Sequence, residues 1–300
     1  MELNERADVD TSQIEDRRGG GGGGGGMGIP LPTSGGGIVG LIVTLLAVLV
    51  GGGFGVNAMT GGDEPADNGA IEQSCDAADK LKQLDCRNAL YVNSIQSWWE
   101  KRLPQSFGEQ YSEAPTVFFD QAVQTGCGAA DSGVGPFYCP ADHKVYIDLT
   151  FYQVLADQLG ASGEFAQPYV LAHEYGHHVQ SLIGTEATMR RQQERDPGDA
   201  NALSVKLELQ ADCYAGAWAK NATQTADADG DPIFTSITDQ DIKEGLDTAA
   251  AIGDDTLQKK SGQDVNPDGF THGTSAQRQQ WFRTGYDSGD PKSCDTFGTS

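Results

Sequence analysis

The pentapeptide His173-Glu174-Tyr175-Gly176-His177 constrains this chain more than any other stretch. Tyr169, Val170, Leu171, Val179 and Leu182 flank it, Pro168 suits a helix's first turn, and Gly184 suits its stop, so a helix is predicted here. Residues i and i+4 share one helical face, which lets both imidazoles approach a single cation. Glu174 lies about 100° around the helix from His173, close enough to reach water at that cation. Neutral imidazole is a good zinc ligand, and a catalytic zinc usually keeps three protein ligands plus water. A fold that uses the motif must therefore carry a third donor to this helix. The bland alternative is a pair of surface histidines on an amphipathic helix.

The third donor should be a carboxylate or another histidine downstream. A metzincin continuation would place His six residues after His177, and that position is Ile183, so the pattern is excluded. A second helix predicted over residues 202–220 offers Glu208-Leu-Gln-Ala-Asp212, beginning 31 residues beyond His177. Both carboxylates share one helical face. One can ligate the metal while the other holds a ligand histidine from behind and fixes its tautomer. Read alone the pair would be a solvated acidic face, but the helix around it is apolar and Ala-rich. His178 points about 100° away from His177 and is expected to pack or hydrogen-bond. His143 reads as a loop histidine. His272, in Phe270-Thr-His-Gly-Thr274, is a candidate catalytic imidazole for stabilising an oxyanion, with Tyr175 as the alternative.

The first quarter of the chain is not domain-like. Eight consecutive glycines at 19–26 have no side chains with which to build a core and read as a linker. Residues 38–59 carry no charge and would span roughly 33 Å as a helix, enough for a bilayer's hydrocarbon layer. Arg17 and Arg18 precede that segment while Asp63, Glu64 and Asp67 follow it, which favours an inside N-terminus. A cleaved signal peptide is the competing reading, disfavoured by the 37-residue leader and the lack of an A-x-A site. The expected organisation is a disordered acidic, Gly-rich tail over 1–37, a transmembrane signal-anchor over 38–59, a linker over 60–73 and a domain over 74–300. That arrangement is single-pass in the cell membrane, with the domain extracytoplasmic.

The net charge is −23, and residues 1–62 account for only −3 of it, so the acidity belongs to the folded part. An acidic surface without basic clusters repels phosphate backbones, which excludes nucleic acid as a partner. Six cysteines without a C-x-x-C pair argue against a zinc ribbon and suit disulfides in an oxidising compartment. Loop sizes suggest Cys127 with Cys139, Cys213 with Cys294 and Cys75 with Cys86.

Elsewhere the periodicity predicts a helix over 76–102 closed by Pro104, a strand at 116–119, a strand at 145–148, and helices at 151–159 and 239–251. The acidic run around Asp227 fails the EF-hand pattern, since Gly230 is misplaced and no Glu closes the loop.

At this point the chain resembles the bacterial neutral zinc metallopeptidases. The residues carrying the resemblance are Gly135-Pro-Phe-Tyr-Cys139-Pro-Ala-Asp142, Val145-Tyr-Ile-Asp148, His173-Glu-Tyr-Gly-His-His-Val-Gln180, Glu208-Leu-Gln-Ala-Asp-Cys213-Tyr-Ala-Gly-Ala-Trp218 and Thr271-His-Gly273. It implies a zincin-like α/β domain, in the broad α+β sense, with a small sheet and a helical active-site core. It also implies zinc (Zn2+) as cofactor and a peptide or protein as substrate. Similarity to E-x-x-x-D zincins such as thermolysin implies Glu208 as third metal ligand beside His173 and His177, and Asp212 as the partner of His173. Glu174 would then be the general base, and residues 145–148 would resemble the sheet-edge strand that aligns an extended substrate. The rival from another class is a non-catalytic, zinc-stabilised cell-surface binding module.

Overall fold

The computed structural model describes residues 1–19 and 66–298. In chain order the strands are β1 (Glu2–Leu3), β2 (Ile14–Asp16), β3 (Thr116–Phe118), β4 (Ala122–Thr125), β5 (Gly128–Asp131), β6 (Phe137–Cys139), β7 (Lys144–Ile147) and β8 (Phe234–Ser236). The α-helices are α1 (Gly69–Cys75), α2 (Leu84–Phe107), α3 (Phe151–Leu159), α4 (Ala166–Leu182), α5 (Thr185–Arg195), α6 (Ala200–Asn221), α7 (Asp239–Ala251), α8 (Asp254–Lys260) and α9 (Ser275–Ser288). The α+β expectation holds: small sheets accompany a helical core.

The main sheet has the order β2-β3-β7-β6, with β2, β3 and β7 parallel and β6 antiparallel to β7. Alternation along its strands sends side chains to two different partners. Phe118, Tyr138, Val145 and Ile147 join the helical core, while Val117, Phe119, Phe137 and Tyr146 pack with Val123 and Ala130 of the β4–β5 ribbon. Residues 145–148, expected at the edge, instead lie inside the sheet: β7 is flanked by β3 and β6. The edge strands are β2 and β6, and β6 follows a Gly/Pro-rich stretch where Gly135 takes φ 79°. The helix expected over 76–102 is also different, because α1 ends at Cys75 and α2 runs past Pro104 to a left-handed cap at Gly108.

Residues 1–19 are not a tail. β2 extends the main sheet, β1 pairs antiparallel with β8, and Ala7 and Ile14 are buried. The Arg18 guanidinium bonds Asp16 and Asp85 and lies over the Phe118 ring. The chain re-enters beside its point of exit. The Asp67 N–H donates to the Asp16 carbonyl, and the Asn68 side chain bonds both the Ile14 carbonyl and the Asp16 N–H. The expected anchor at 38–59 lies outside the described residues. Among those described, no helix is long and apolar enough to cross a membrane.

Two close helix contacts position the site. A Cβ on Gly176 of α4 would lie 3.0 Å from the Ala211 Cα of α6, so these helices meet nearly backbone to backbone. Between α6 and α9 the approach is closer still. A Cβ on Gly216 would sit 2.0 Å from the Phe282 carbonyl oxygen, and one on Gly285 would sit 1.8 Å from that of Cys213. The three disulfides are Cys75–Cys86, Cys127–Cys139 and Cys213–Cys294, as loop sizes suggested.

Candidate metal centre

Helix α4 presents His173 and His177 on one face, and the Gly176–Ala211 contact lays Glu208 of α6 against them. His173 Nε2 is 3.2 Å from His177 Nε2 and 3.1 Å from Glu208 Oε2, while His177 Nε2 is 3.4 Å from Glu208 Oε1. Each imidazole is oriented through its other nitrogen. His173 Nδ1 donates to Asp212 Oδ1 at 2.8 Å, and His177 Nδ1 donates to Gln180 Oε1 at 2.8 Å. The Gln180 amide is itself fixed, because its nitrogen donates to the Leu207 carbonyl and to Gln210 Oε1. With both Nδ1 protons committed, the two Nε2 lone pairs converge on one point beside a carboxylate.

Asp212 is fully buried and saturated. Its Oδ1 accepts from the Tyr169 hydroxyl at 2.6 Å, from His173 and from Arg278 Nη2 at 2.9 Å, and its Oδ2 accepts from Arg278 Nε at 2.8 Å. Burial alone would raise its pKa, but the Arg278 guanidinium and the His173 imidazole overcome that and pull it down to about 2. Burial likewise opposes charge on His173, yet Asp212 and Glu208 outweigh it and raise that imidazole to about 10 when no metal competes. The electrostatics of the cluster therefore favour a cation.

Glu174 is buried, and burial raises its carboxyl above the ordinary range. Its Oε2 accepts the backbone N–H of Tyr138 at 2.9 Å, so edge strand β6 orients it. His272 lines the same cleft as Glu174 and the three converging donors. Its Nδ1 donates to Asp254 Oδ1 at 3.0 Å, and Asp254 Oδ2 accepts the backbone N–H groups of Thr271, His272 and Gly273. The Asp254 clamp thus turns the other His272 nitrogen away from itself. His178 packs as expected, bonding the Ser112 carbonyl and the Tyr138 hydroxyl. Burial lowers its pKa to about 4, so it is neutral. His143 bonds the same Tyr138 hydroxyl and stands apart from the converging donors.

The family model described as "Putative neutral zinc metallopeptidase" matches residues 1–297. The chain belongs to this family. It is 43% identical over 299 residues to "Uncharacterized protein YpfJ" of Escherichia coli K12, covering 97% of each chain. It is also 43% identical over 258 residues to "Uncharacterized protein Rv2575" of Mycobacterium tuberculosis H37Rv, covering 85% of each. No solved structure matches.

Zinc, the metal in the family's description, fits the residues present. A tetrahedral zinc with bonds of about 2.0–2.1 Å needs donor atoms about 3.3–3.4 Å apart. The separations among the His173, His177 and Glu208 donors are 3.1, 3.2 and 3.4 Å. These are the only three described residues whose His, Cys, Asp or Glu atoms gather in this way. The structure thus brings together His173, Glu174, His177, Glu208, Asp212 and His272, whereas the Tyr175 hydroxyl turns instead to the Ala114 carbonyl. It adds five partners: Gln180, Tyr169, Arg278, Asp254 and the Tyr138 amide. Gln180 was open to inference, since it lies three residues from His177 on the same helical face. Arg278, Asp254 and the Tyr138 amide reach the site through long-range contacts that carry no local signal.

Proposed function

We propose that this protein is a peptidase that hydrolyses peptide bonds in an extracytoplasmic compartment. The observation that carries the reading is a carboxylate, Glu174, held by a backbone N–H in the same cleft as three converging donors. When bound there, zinc supplies Lewis acidity that acidifies water and polarises the scissile carbonyl. Glu174 accepts the proton that water loses as its oxygen adds to the carbonyl carbon. The C–N bond then breaks, and Glu174 returns that proton to the leaving amine nitrogen, giving a carboxylic acid and an amine. His272 is oriented by Asp254 through Nδ1–H, and with a second proton on Nε2 it would donate to the oxyanion that develops on the substrate. Three disulfides support an oxidising compartment.

The rival reading, a zinc-stabilised binding module, predicts the same metal and no turnover. A structural zinc normally closes its coordination with four protein ligands. Metal analysis and cleavage of a mixed peptide library, wild type against Glu174→Gln, separate the two readings. We expect one zinc per chain in both proteins and cleavage only in wild type. Equal inactivity of both proteins, each fully zinc-loaded, would favour the binding module. His173→Ala, His177→Ala and Glu208→Ala should each lose the metal.

A further inference from the structure

We infer that Gln210 is a positioning residue of the metal centre: it links the backbone carbonyl of Cys294 to Gln180 and so sets which ring nitrogen His177 turns to the zinc. The inference rests on zinc at the three donors and not on turnover. The Gln210 side-chain nitrogen donates to the Cys294 carbonyl at 2.9 Å, and Gln210 Oε1 accepts from the Gln180 nitrogen at 3.1 Å. The Gln180 nitrogen also donates to the Leu207 carbonyl at 2.7 Å, and Gln180 Oε1 accepts from His177 Nδ1 at 2.8 Å. Both glutamines are buried. Gln210 stands about 200° around α6 from Glu208, so that helix supports the site from a second side.

The polarity of this link runs one way. A carbonyl oxygen only accepts, so Cys294 takes the nitrogen end of the Gln210 amide and leaves its oxygen end for Gln180. Gln180 meets two acceptors, the Leu207 carbonyl and Gln210 Oε1, so its N–H groups are committed and its oxygen faces His177. That ring must then carry its proton on Nδ1, which leaves the Nε2 lone pair for the metal. Turning either buried amide over would set oxygen against oxygen and leave donors unpaired. The acceptor that starts the link is itself held at two places. The Cys213–Cys294 bridge ties it to α6, and the Thr296 hydroxyl, two residues on, donates to the Lys206 carbonyl at 2.6 Å. His173 is fixed instead by the Asp212 carboxylate, so the two ligand histidines have separate supports.

Two measurements on the full-length protein test this. Zinc affinity is read by competition with a chelator, and solvent exchange of the two ligand Nδ1 protons is read by nuclear magnetic resonance of zinc-loaded protein with isotope-labelled histidine. Gln210→Met keeps the bulk and removes the link. We expect it to weaken zinc binding by about 10-fold, the lower end of the loss for a group behind a metal ligand. The His177 Nδ1 proton should exchange at least about 10-fold faster than in wild type, with the His173 Nδ1 proton unchanged. Thr296→Val cuts the same segment's neighbouring tie to α6 outside the link, and should leave both quantities at their wild-type values. Gln210→Asn, too short to span both partners, is read in the same way if Gln210→Met does not fold. Both rings are read in one molecule, so a general loosening would free them together and cannot imitate the expected result. Equal acceleration at both rings, wild-type behaviour of Gln210→Met, or an equal loss of affinity in Thr296→Val would overturn the link while leaving the metal centre standing. Failure of the wild type to bind zinc would remove the metal centre, and the link with it.

Discussion

Asp212 shows how much a single buried carboxylate can be asked to hold. Judged only as a partner for His173, it could be exchanged for Asn at modest cost, because an amide oxygen can still accept that bond. The structure argues otherwise. Both carboxylate oxygens receive N–H groups from Arg278, so an amide nitrogen at either place would face a donor. The buried guanidinium would also lose its counter-charge. We therefore expect Asp212→Asn to cost about 3–5 kcal/mol of stability, in line with breaking a buried ion pair. Asp212→Ala should weaken zinc binding by about 10- to 100-fold through its effect on His173. Denaturant unfolding of the zinc-free proteins and titration against a competing chelator measure the two effects separately. Wild-type stability in Asp212→Asn would show that Arg278 is not the clamp. The pH dependence has a definite sign. The folded pKa of Asp212, about 2, lies below its ordinary 3.8. Its stabilisation is therefore complete above the unfolded value and is lost as pH falls from about 4 towards 2.

Among the elements, helices were legible wherever apolar residues recur at helical spacing. Residues 151–159 and 239–251 form helices with those bounds, and the helix carrying Glu208 is only slightly longer than expected. Helices α5 and α9 lack that spacing. In α9 only Phe282 is a fully buried large apolar residue, and Arg278 occupies a core position as a charge. One cue was nonetheless present: Thr274 and Gln277 have the spacing of a capping box, and both reciprocal bonds form. The helix contacts were harder to read, since Gly176, Gly216 and Gly285 look like weak points in a helix when only propensity is considered. Their value lies in the missing Cβ. Gly285→Ala would place a methyl group 1.8 Å from the Cys213 carbonyl oxygen, so α9 must move away from α6 and carry Arg278 off Asp212. We expect a loss of at least about 1–3 kcal/mol, together with weaker zinc binding. Gly176→Ala meets its neighbours at 3.0–3.2 Å, so it should be the milder change in stability. It would still separate Glu208 from the histidines. Thermal unfolding of both variants, paired with chelator titration, tests that ordering, and an unchanged melting temperature in Gly285→Ala would contradict the contact.

For the molecule as a whole, the consequential difference between sequence and structure lies in its first nineteen residues. Their short strands have no periodicity to read, and the glycine run that follows makes them look like the start of a tail. In the fold they are part of the main sheet, and residues 66–68 rejoin the chain beside them. This bears directly on the proposed anchor. A segment that crosses a bilayer once leaves its two ends on opposite faces, yet Asp16 and Asp67 are joined by a 3.1 Å backbone hydrogen bond. A single crossing by residues 38–59 and the presence of β2 in its own chain's sheet cannot coexist in one molecule. The sheet predicts that residues 1–19 and 66–298 occupy the same compartment. Single cysteines can test this cleanly, because the six native ones are all bridged. Ser12 and Asp229 are both exposed, and each lies on a different side of the 20–65 segment. In intact producing cells, Ser12→Cys and Asp229→Cys should react alike with a membrane-impermeant maleimide, both labelled or both protected until lysis. Labelling of one and protection of the other would mean that the membrane-spanning molecule folds without β2. Phe118 and Asp85 would then have lost the Arg18 side chain that now covers and pairs with them.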